Sequence, residues 1–501
     1  MNDTLFNLLV ESKFMPFDIK LLSKNDIIDR KIFDYLFTID DDIEREKVIM
    51  QLEDKAKKEG CLSNFKKLLK EYNKKINLDN KQNIKKSELK HNEVAEQLFQ
   101  ENSIVIHNNT IYIYINGVYT ENKKYIERKI IEIIPEADSH FRNEVYKDLE
   151  LKAEDKKIDK ESQIINFQNG LYDLRQKKLL AHSPNFFSIN QININFNPNA
   201  KNVQAVDNLL NKISTENLKR KQAILEMIGY AMTTSVKLQK GFILYGETAR
   251  NGKSTLINII THLIGKNNVG NVSFRDMNKH QFASSGIKGK LLNIGSEMTD
   301  HYIDDVSIFK MFISGDDLEI EEKFKPKQTI SPYAKFIFNA NKLPHVADIT
   351  NGFYRRLHII PLETQFTDKD ANEFNFNDLI TKEALEYLAK ISLDAYISMN
   401  GNFSNYEESE KEVNKYRFNS NSVLSFMNNK ECNPLYDNTK LHTAKSIFDS
   451  YKNYCTDNKY VMSGKNTFYD YIEKHQLVLV KIYNNQKHYF LNFEVIKNIT
   501  P

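Results

Sequence analysis

Ten consecutive residues, Gly246-Glu247-Thr248-Ala249-Arg250-Asn251-Gly252-Lys253-Ser254-Thr255, carry the clearest chemistry in the chain. An apolar run, Gly241–Tyr245, precedes them, and a segment with helical spacing, Lys253–Ile264, follows. Strand, glycine turn and helix opening form the context in which backbone N–H groups and a helix N-terminus cradle phosphate. Here Lys253 is expected to reach the β- and γ-phosphates of ATP, and the Ser254 hydroxyl to ligate Mg²⁺. Asn251 is expected to accept an unusual backbone angle. Five residues separate Gly246 from Gly252, where the usual loop has four. Either the turn is one residue longer, or Gly246 is not its first glycine.

Such a loop needs an acid for metal and water, a polar sensor and a positive charge for the transition state. About 40 residues downstream, Leu291-Leu-Asn-Ile-Gly-Ser-Glu297 is an apolar strand ending in an acid. Glu297 is the candidate for polarising the attacking water and for the metal shell. Ser296 stands where a first acid often sits, and Asp300 is near. Lys335-Phe-Ile-Phe-Asn-Ala-Asn341 is a second apolar strand, ending in an amide able to bond both phosphate and water. Arg355 and Arg356 then stand just before a third strand. Arginines so far from their own loop suit a neighbouring subunit's nucleotide, which implies a ring with head-to-tail contacts.

These residues must be held by an α/β core, expected over residues 205–405. A helical pair (205–235) leads into it, and a helix near Asp378–Met399 closes it. Residues 1–92 are expected to be helical, with a polar linker at Asn73–Lys90. Phe33, Leu36 and Phe37 share one helical spacing; Phe65, Leu68 and Leu69 share another. Residues 93–204 are expected to form an α+β module. Its hairpins turn at Asn108-Asn109, Asn116-Gly117 and Asn169-Gly170, around a helix near Lys123–Ile134.

Composition removes several classes. Of 501 residues, 41% are hydrophobic and 27% charged, as in an ordinary globular protein. No apolar run is long enough to cross a bilayer, and the first residues carry no secretory pattern, so a cytoplasmic protein without a membrane partner is expected. Cys61, Cys432 and Cys455 form no CxxC pair, which argues against a zinc site or disulfide framework. Net charge is only +3, so any nucleic-acid contact must gather its lysines into a patch or channel.

The four elements in this order resemble superfamily 3 helicases, a branch of AAA+-like ATPases. More narrowly they are similar to the poxvirus-type primase-helicase ATPases of phages, plasmids and staphylococcal pathogenicity islands. The carriers are GETARNGKST, ISGDDLEIEEKFKP and FNANKLP…FYRRLHIIPLE, with INFQNGLYDL…FNPNA resembling the domain before the motor. The resemblance implies that Lys253 and Ser254 hold phosphate and Mg²⁺, that Glu297 is the Walker B acid and Asn341 the sensor. Arg356 best matches the arginine finger, with Arg355 the alternative. It also implies a channel hairpin at Leu318–Lys327, with Lys323, Phe324 and Lys325 at its DNA-gripping tip. Alternating Lys and Phe offers phosphate charge and a stacking surface in one loop. Six copies would line the pore of a hexameric ring moving 3′ to 5′ on single-stranded DNA. A single Glu297 stands where many relatives have paired acids. No primase constellation is seen upstream.

Residues 415–501 read as three helices and a terminal hairpin, the order of a winged helix. Its third helix would present Lys465, Asn466 and Tyr469 to origin DNA, and its wing Lys481, Lys487 and His488 to phosphates. A protein-binding winged helix fits the same pattern. The leading function is therefore a replication initiator and helicase of a mobile element, working with host or element replication proteins. An ATPase that loads or remodels a partner at an origin would hydrolyse ATP regardless of DNA. A non-catalytic DNA-binding protein would tolerate Lys253→Ala.

Overall fold

The computed structural model describes residues 18–36, 39, 42–71, 89–279, 283–298, 302–321, 327–346, 351–367, 375–404, 406–437, 439–458, 460–483 and 486–499. It is a multidomain α/β chain with several sheets. One compact unit takes its described residues from Met1–Glu101 and Lys123–Lys152, the other from Asn102–Asn122 and Ala153–Pro501.

The first unit is helical. It contains α1 (Arg30–Leu36), α2 (Asp42–Lys58), a helix over 62–71, α3 (His91–Glu101), α4 (Lys123–Ile133) and α5 (Ser139–Lys152). Phe33, Leu36, Leu52 and Phe65 are fully buried together, and the Phe33 and Phe65 rings stack at 5.5 Å. Leu68 and Leu69 pack at the rim. Phe37 and the Lys/Asn-rich stretch 73–88 lie outside the described residues.

The second unit opens with β1 (Ile104–His107), β2 (Thr110–Ile115) and β3 (Val118–Thr120), joined by hairpins. Asn108, Asn109, Asn116 and Gly117 all have positive φ, as two-residue turns of this hand require. A two-residue strand, β4 (Glu154-Asp155), pairs parallel with β1. A meander follows: β5 (Ile164–Phe167), β6 (Gly170–Asp173) and β7 (Lys178–Leu180). Both sheets belong to the same compact unit as the α/β core.

That core begins with α6 (Gln204–Ile213) and α7 (Leu218–Ala231). Then come β8 (Gly241–Tyr245), α8 (Lys253–Ile264), β9 (Val269-Gly270), α9 (Phe274–Lys279) and β10 (Leu292–Met298). They are followed by α10 (Ser307–Ser314), a hairpin of β11 (Leu318–Ile320) and β12 (Gln328–Ile330), β13 (Lys335–Ala340), α11 (Asn351–Tyr354) and β14 (Leu357–Pro361). The five main strands run parallel in the order β14-β8-β13-β10-β9. Helices cover both faces, so the strands are apolar almost throughout. Alternation still sorts the side chains. Phe242, Leu244 and Ile337 face α6, α7, α8 and α12 (Lys382–Ser398), while Ile243, Phe336 and Phe338 face α9 and α10. Tyr416 of α13 (Glu407–Ser420) joins the second core and donates to the Pro344 carbonyl at 2.7 Å.

The chain ends with α14 (Ser422–Asn428), β15 (His442-Thr443), α15 (Ala444–Asp457), α16 (Lys465–Lys474), a hairpin of β16 (Val478–Tyr483) and β17 (Gln486–Leu491), and α17 (Phe493–Ile499). Phe426, Ile447, Tyr451, Phe468 and Ile472 form its own buried core. Among the described residues no helix is long and apolar enough to cross a membrane.

Candidate nucleotide site

In a sheet of this kind ligands bind outside the carboxyl ends of the strands, where the strand order reverses. β8 is that place. Its successor β9 lies at one edge, three positions away, and β14 lies on its other side. The residues singled out from the sequence follow this same edge: the loop after β8, Glu297 near the end of β10 and Asn341 just past β13.

The glycines have local reasons. Gly252 sits at φ +82° and caps α8 with no side-chain hydrogen bond, so the first-turn amides of a 12-residue helix keep their donors for an anion. A Cβ there would meet Ile213 Cγ1 at 2.9 Å and Phe366 Cε2 at 3.0 Å. A Cβ on Gly246 would lie 2.7 Å from the Leu362 carbonyl oxygen and closer still to the Asn251 amide. Position 246 thus needs a glycine, because the turn folds back on it. Within the turn Arg250 takes φ +57°. This corrects the expectation for Asn251. Its backbone is not in the left-handed region; its side chain is buried and donates to the Thr248 carbonyl at 2.7 Å. Glu247, Thr248, Ala249, Arg250 and Ser254 are exposed along the loop, with Thr255 half-buried.

Lys253 is 9% exposed. Its Nζ donates to the Gly246 carbonyl at 2.8 Å, to the Ala340 carbonyl at 3.4 Å and to Asn341 Oδ1. Asn341 Nδ2 donates in turn to Glu297 Oε1. One amide thus links the lysine of the loop to the acid of a strand two places away. Burial holds the Lys253 ammonium below the usual lysine range, while the Glu297 carboxylate pulls it back up.

Glu297 reaches this position through an irregularity. β10 pairs with β13 in regular register up to Gly295–Phe338, then resumes at Met298–Ala340. The extra residue is a bulge, a device that re-aims side chains at sheet rims. Ser296 and Glu297 are consecutively exposed as a result. They border a cavity of about 220 Å³ that Arg275 and Asp276 also line. Arg275 reaches this lining from the six-residue helix α9, and no motif marked it in the sequence.

The chemistry of the donors suits Mg²⁺–ATP. Among the described residues no group of three His, Cys, Asp or Glu is gathered for a metal. An Mg²⁺ that keeps waters and takes phosphate oxygens needs only one or two protein ligands. A hydroxyl at the start of α8 and one carboxylate at the end of β10 match that demand.

The arginines lie elsewhere. Gly241 N donates to the Arg356 carbonyl at 2.8 Å, which sets both arginines at the opposite end of the sheet. The length of β8, about 15 Å, separates them from their own loop. Arg356 is half-buried and committed within its chain: Nη1 donates to the Gly352 carbonyl at 2.5 Å and Nη2 to Ser314 Oγ at 2.8 Å. Arg355 is exposed. It borders a cleft of about 520 Å³ together with Lys240 and Arg417. Lys240 Nζ donates to the Arg355 carbonyl at 2.7 Å, and burial with the Arg355 charge lowers its pKa.

Of the predicted DNA contacts, Lys323, Phe324 and Lys325 lie outside the described residues. The flanking hairpin, β11 with β12, is present. Lys465 and Asn466 are exposed at the start of α16, and Lys487 is exposed on the final hairpin, where it bonds Glu473. Tyr469 is not presented as expected. Its hydroxyl donates to the Ala444 carbonyl and its ring packs against Phe468 and Tyr489 at 5.2 and 5.5 Å.

Two family profiles match parts of the chain. One, described as D5 N terminal like, covers residues 66–215; a family of unknown function, DUF5906, covers residues 244–356. The second span contains the loop, Glu297, Asn341 and both arginines. No curated protein matches. Among solved structures, an apo form of the NrS-1 C terminal region is 14% identical, with a TM-score of 0.49, over 81% of this chain and 100% of that one. A second apo structure of that region, residues 305–718, is also 14% identical, with a TM-score of 0.48, over 79% of this chain and 98% of that one.

Proposed function

We propose that the chain is an ATP-driven DNA motor of the phage-type primase-helicase kind, acting in replication of a mobile element. The observation that carries this reading is the hydrogen-bonded run Lys253–Asn341–Glu297 at the phosphate loop. It joins phosphate binder, sensor and water-polarising acid at one edge of a parallel sheet. The D5-like match over residues 66–215 supports the same reading, since that segment leads into the core.

In this account the amides of Gly246–Ser254 and the Lys253 ammonium hold the triphosphate. Ser254 and Glu297 would hold Mg²⁺, which supplies charge neutralisation on the β- and γ-oxygens when bound. Glu297 orients and deprotonates the attacking water, and Asn341 fixes both partners. Arg355 meets the nucleotide of an adjacent subunit in a hexameric ring. Its exposure and its distance from its own loop support that role better than the in-chain bonds of Arg356 do. The β11–β12 hairpin would carry Lys323, Phe324 and Lys325 to single-stranded DNA, and the C-terminal unit, as a winged helix, would place Lys465, Asn466 and Lys487 on origin DNA. The test is strand displacement from a forked duplex. The parent should unwind with ATP. Lys253→Ala should lose ATP hydrolysis and unwinding, and Lys323→Ala unwinding alone. ATP hydrolysis with no displacement by the parent under any loading condition would refute the motor.

A further inference from the structure

A further cleft, of about 850 Å³, lies on the core at the end of α8 away from the nucleotide edge. Lys266, Lys288 and Lys290 line one wall; Tyr112, Tyr119 and Glu121 line the other. The joint beneath it is built, not incidental. Asn190 is 5% exposed and donates to Asn268 Oδ1 at 3.0 Å and to the Gly289 carbonyl at 2.9 Å. Asn268, equally buried, donates to the Gln191 carbonyl at 2.8 Å. These bonds fix the segment after β7 against the end of α8 and the turn before β10, and the Tyr119 amide, donating to the Ser188 carbonyl at 2.9 Å, ties β3 to that segment, so residues of the β1–β3 sheet and the three lysines line one gap.

Lys266 and Lys290 carry the available charge in this gap. Lys290 Nζ donates to a neutral carbonyl, that of Asn267, at 2.7 Å. Lys266 is exposed, and among the described residues neither it nor Lys290 pairs with a carboxylate. Lys266 and Lys290 thus bring two ammonium groups to a lining in which Glu121 is the acidic member. Lys288 extends the basic wall toward the hairpin, donating to Gln328 Oε1 of β12 at 2.6 Å. Cations that follow a path, opposed by an aromatic ring, suit a flexible polyanion with flat bases better than a compact anion.

We infer that this cleft is a second contact for single-stranded DNA, guiding the strand between the β1–β3 sheet and the base of the β11–β12 hairpin. The inference rests on the DNA-motor reading and adds to it a surface outside the ring hairpins. Lys266 and Lys290 neutralise phosphates, and Tyr112 offers a base-stacking edge.

The test measures binding of a labelled single-stranded oligonucleotide across a salt series, using the full chain, Lys266→Ala and Lys266→Ala/Lys290→Ala. Loss of two phosphate contacts should flatten the log–log salt slope by about 1.4 and weaken binding roughly tenfold, with the single variant halfway. The melting temperature should stay at the parent's. A 5-iodouracil oligonucleotide should photo-crosslink to the peptide holding Tyr112. Variants that melt like the parent and bind with its slope and affinity would overturn the inference while leaving the motor reading intact. So would competition by a free mononucleotide as strong as by the oligonucleotide. A parent that binds no single strand would overturn both.

Discussion

Asn341 accepts a hydrogen bond from Lys253 Nζ and donates one to Glu297, so the residues at the ends of β8, β10 and β13 form one connected group. The contact has a consequence for mutants under the proposed function, in which each member acts on a different step: Lys253 would hold phosphate, Glu297 would handle water, and Asn341 would keep the two in line.

Glu297→Gln should therefore keep most of the parent's triphosphate affinity, which the loop amides and Lys253 carry, and hydrolyse the nucleotide about 10²- to 10⁴-fold more slowly, the usual worth of a positioned general base. Asn341→Ala should slow hydrolysis about 10²- to 10³-fold, as loss of one preorganised polar group does. Single-turnover hydrolysis beside equilibrium binding of a fluorescent analogue separates the two effects. Equal loss of binding in both variants would contradict this division.

Gly252→Ala should cost about 1–3 kcal/mol of stability, because φ +82° is strained for any L side chain. The added Cβ also meets Ile213 at 2.9 Å. The same variant should lose nucleotide binding, since the amides of the α8 N-terminus shift. Chemical denaturation and nucleotide titration check both.

His358 gives a pH dependence with a definite sign. Burial, helped by the Lys240 charge, pushes its pKa down from 6.5 to about 3. Its ring packs against Phe242 and Phe403, each at 5.7 Å. The unfolded chain takes up a proton below pH 6.5 that the folded chain refuses, so stability present above 6.5 is lost as pH falls toward 3. The loss should approach about 1.4 kcal/mol per pH unit between these limits. His358→Phe should remove this component. Denaturation at pH 7 and pH 5 tests it, and an equal pH response in both proteins would count against the buried neutral histidine.

How much of this was legible follows the range of the interactions. The loop and its helix are one contiguous segment, so composition and spacing were enough to place Lys253, Ser254 and Gly252. Glu297 and Asn341 were reachable because each ends an apolar strand, a pattern that also put β13 within one residue of its true end. The bulge that turns Glu297 toward Asn341 was not legible, since a register shift exists only between two strands. The left-handed non-glycine residue of the loop, Arg250, was missed because Asn251 has the better propensity; burial of the Asn251 amide decided the matter. Tyr469 was placed on a recognition surface because it stands on the α16 sequence beside Lys465. The rings of Phe468 and Tyr489, the second far along the chain, draw it inward instead. The joint formed by Asn190 and Asn268 spans 78 residues and left no local trace.

The most direct test mixes two defective proteins. Lys253→Ala lacks the phosphate binder, and Arg355→Ala lacks the exposed arginine. If Arg355 completes a neighbour's site, each variant alone is inactive, and mixing them restores part of the ATP hydrolysis. An intact loop from one then meets an intact arginine from the other. Recovery at a level that rises and falls with the mixing ratio is the predicted result. A mixture as inactive as its components, from a parent that hydrolyses ATP, would contradict the shared site, and a parent that neither binds nor hydrolyses ATP would contradict the account as a whole.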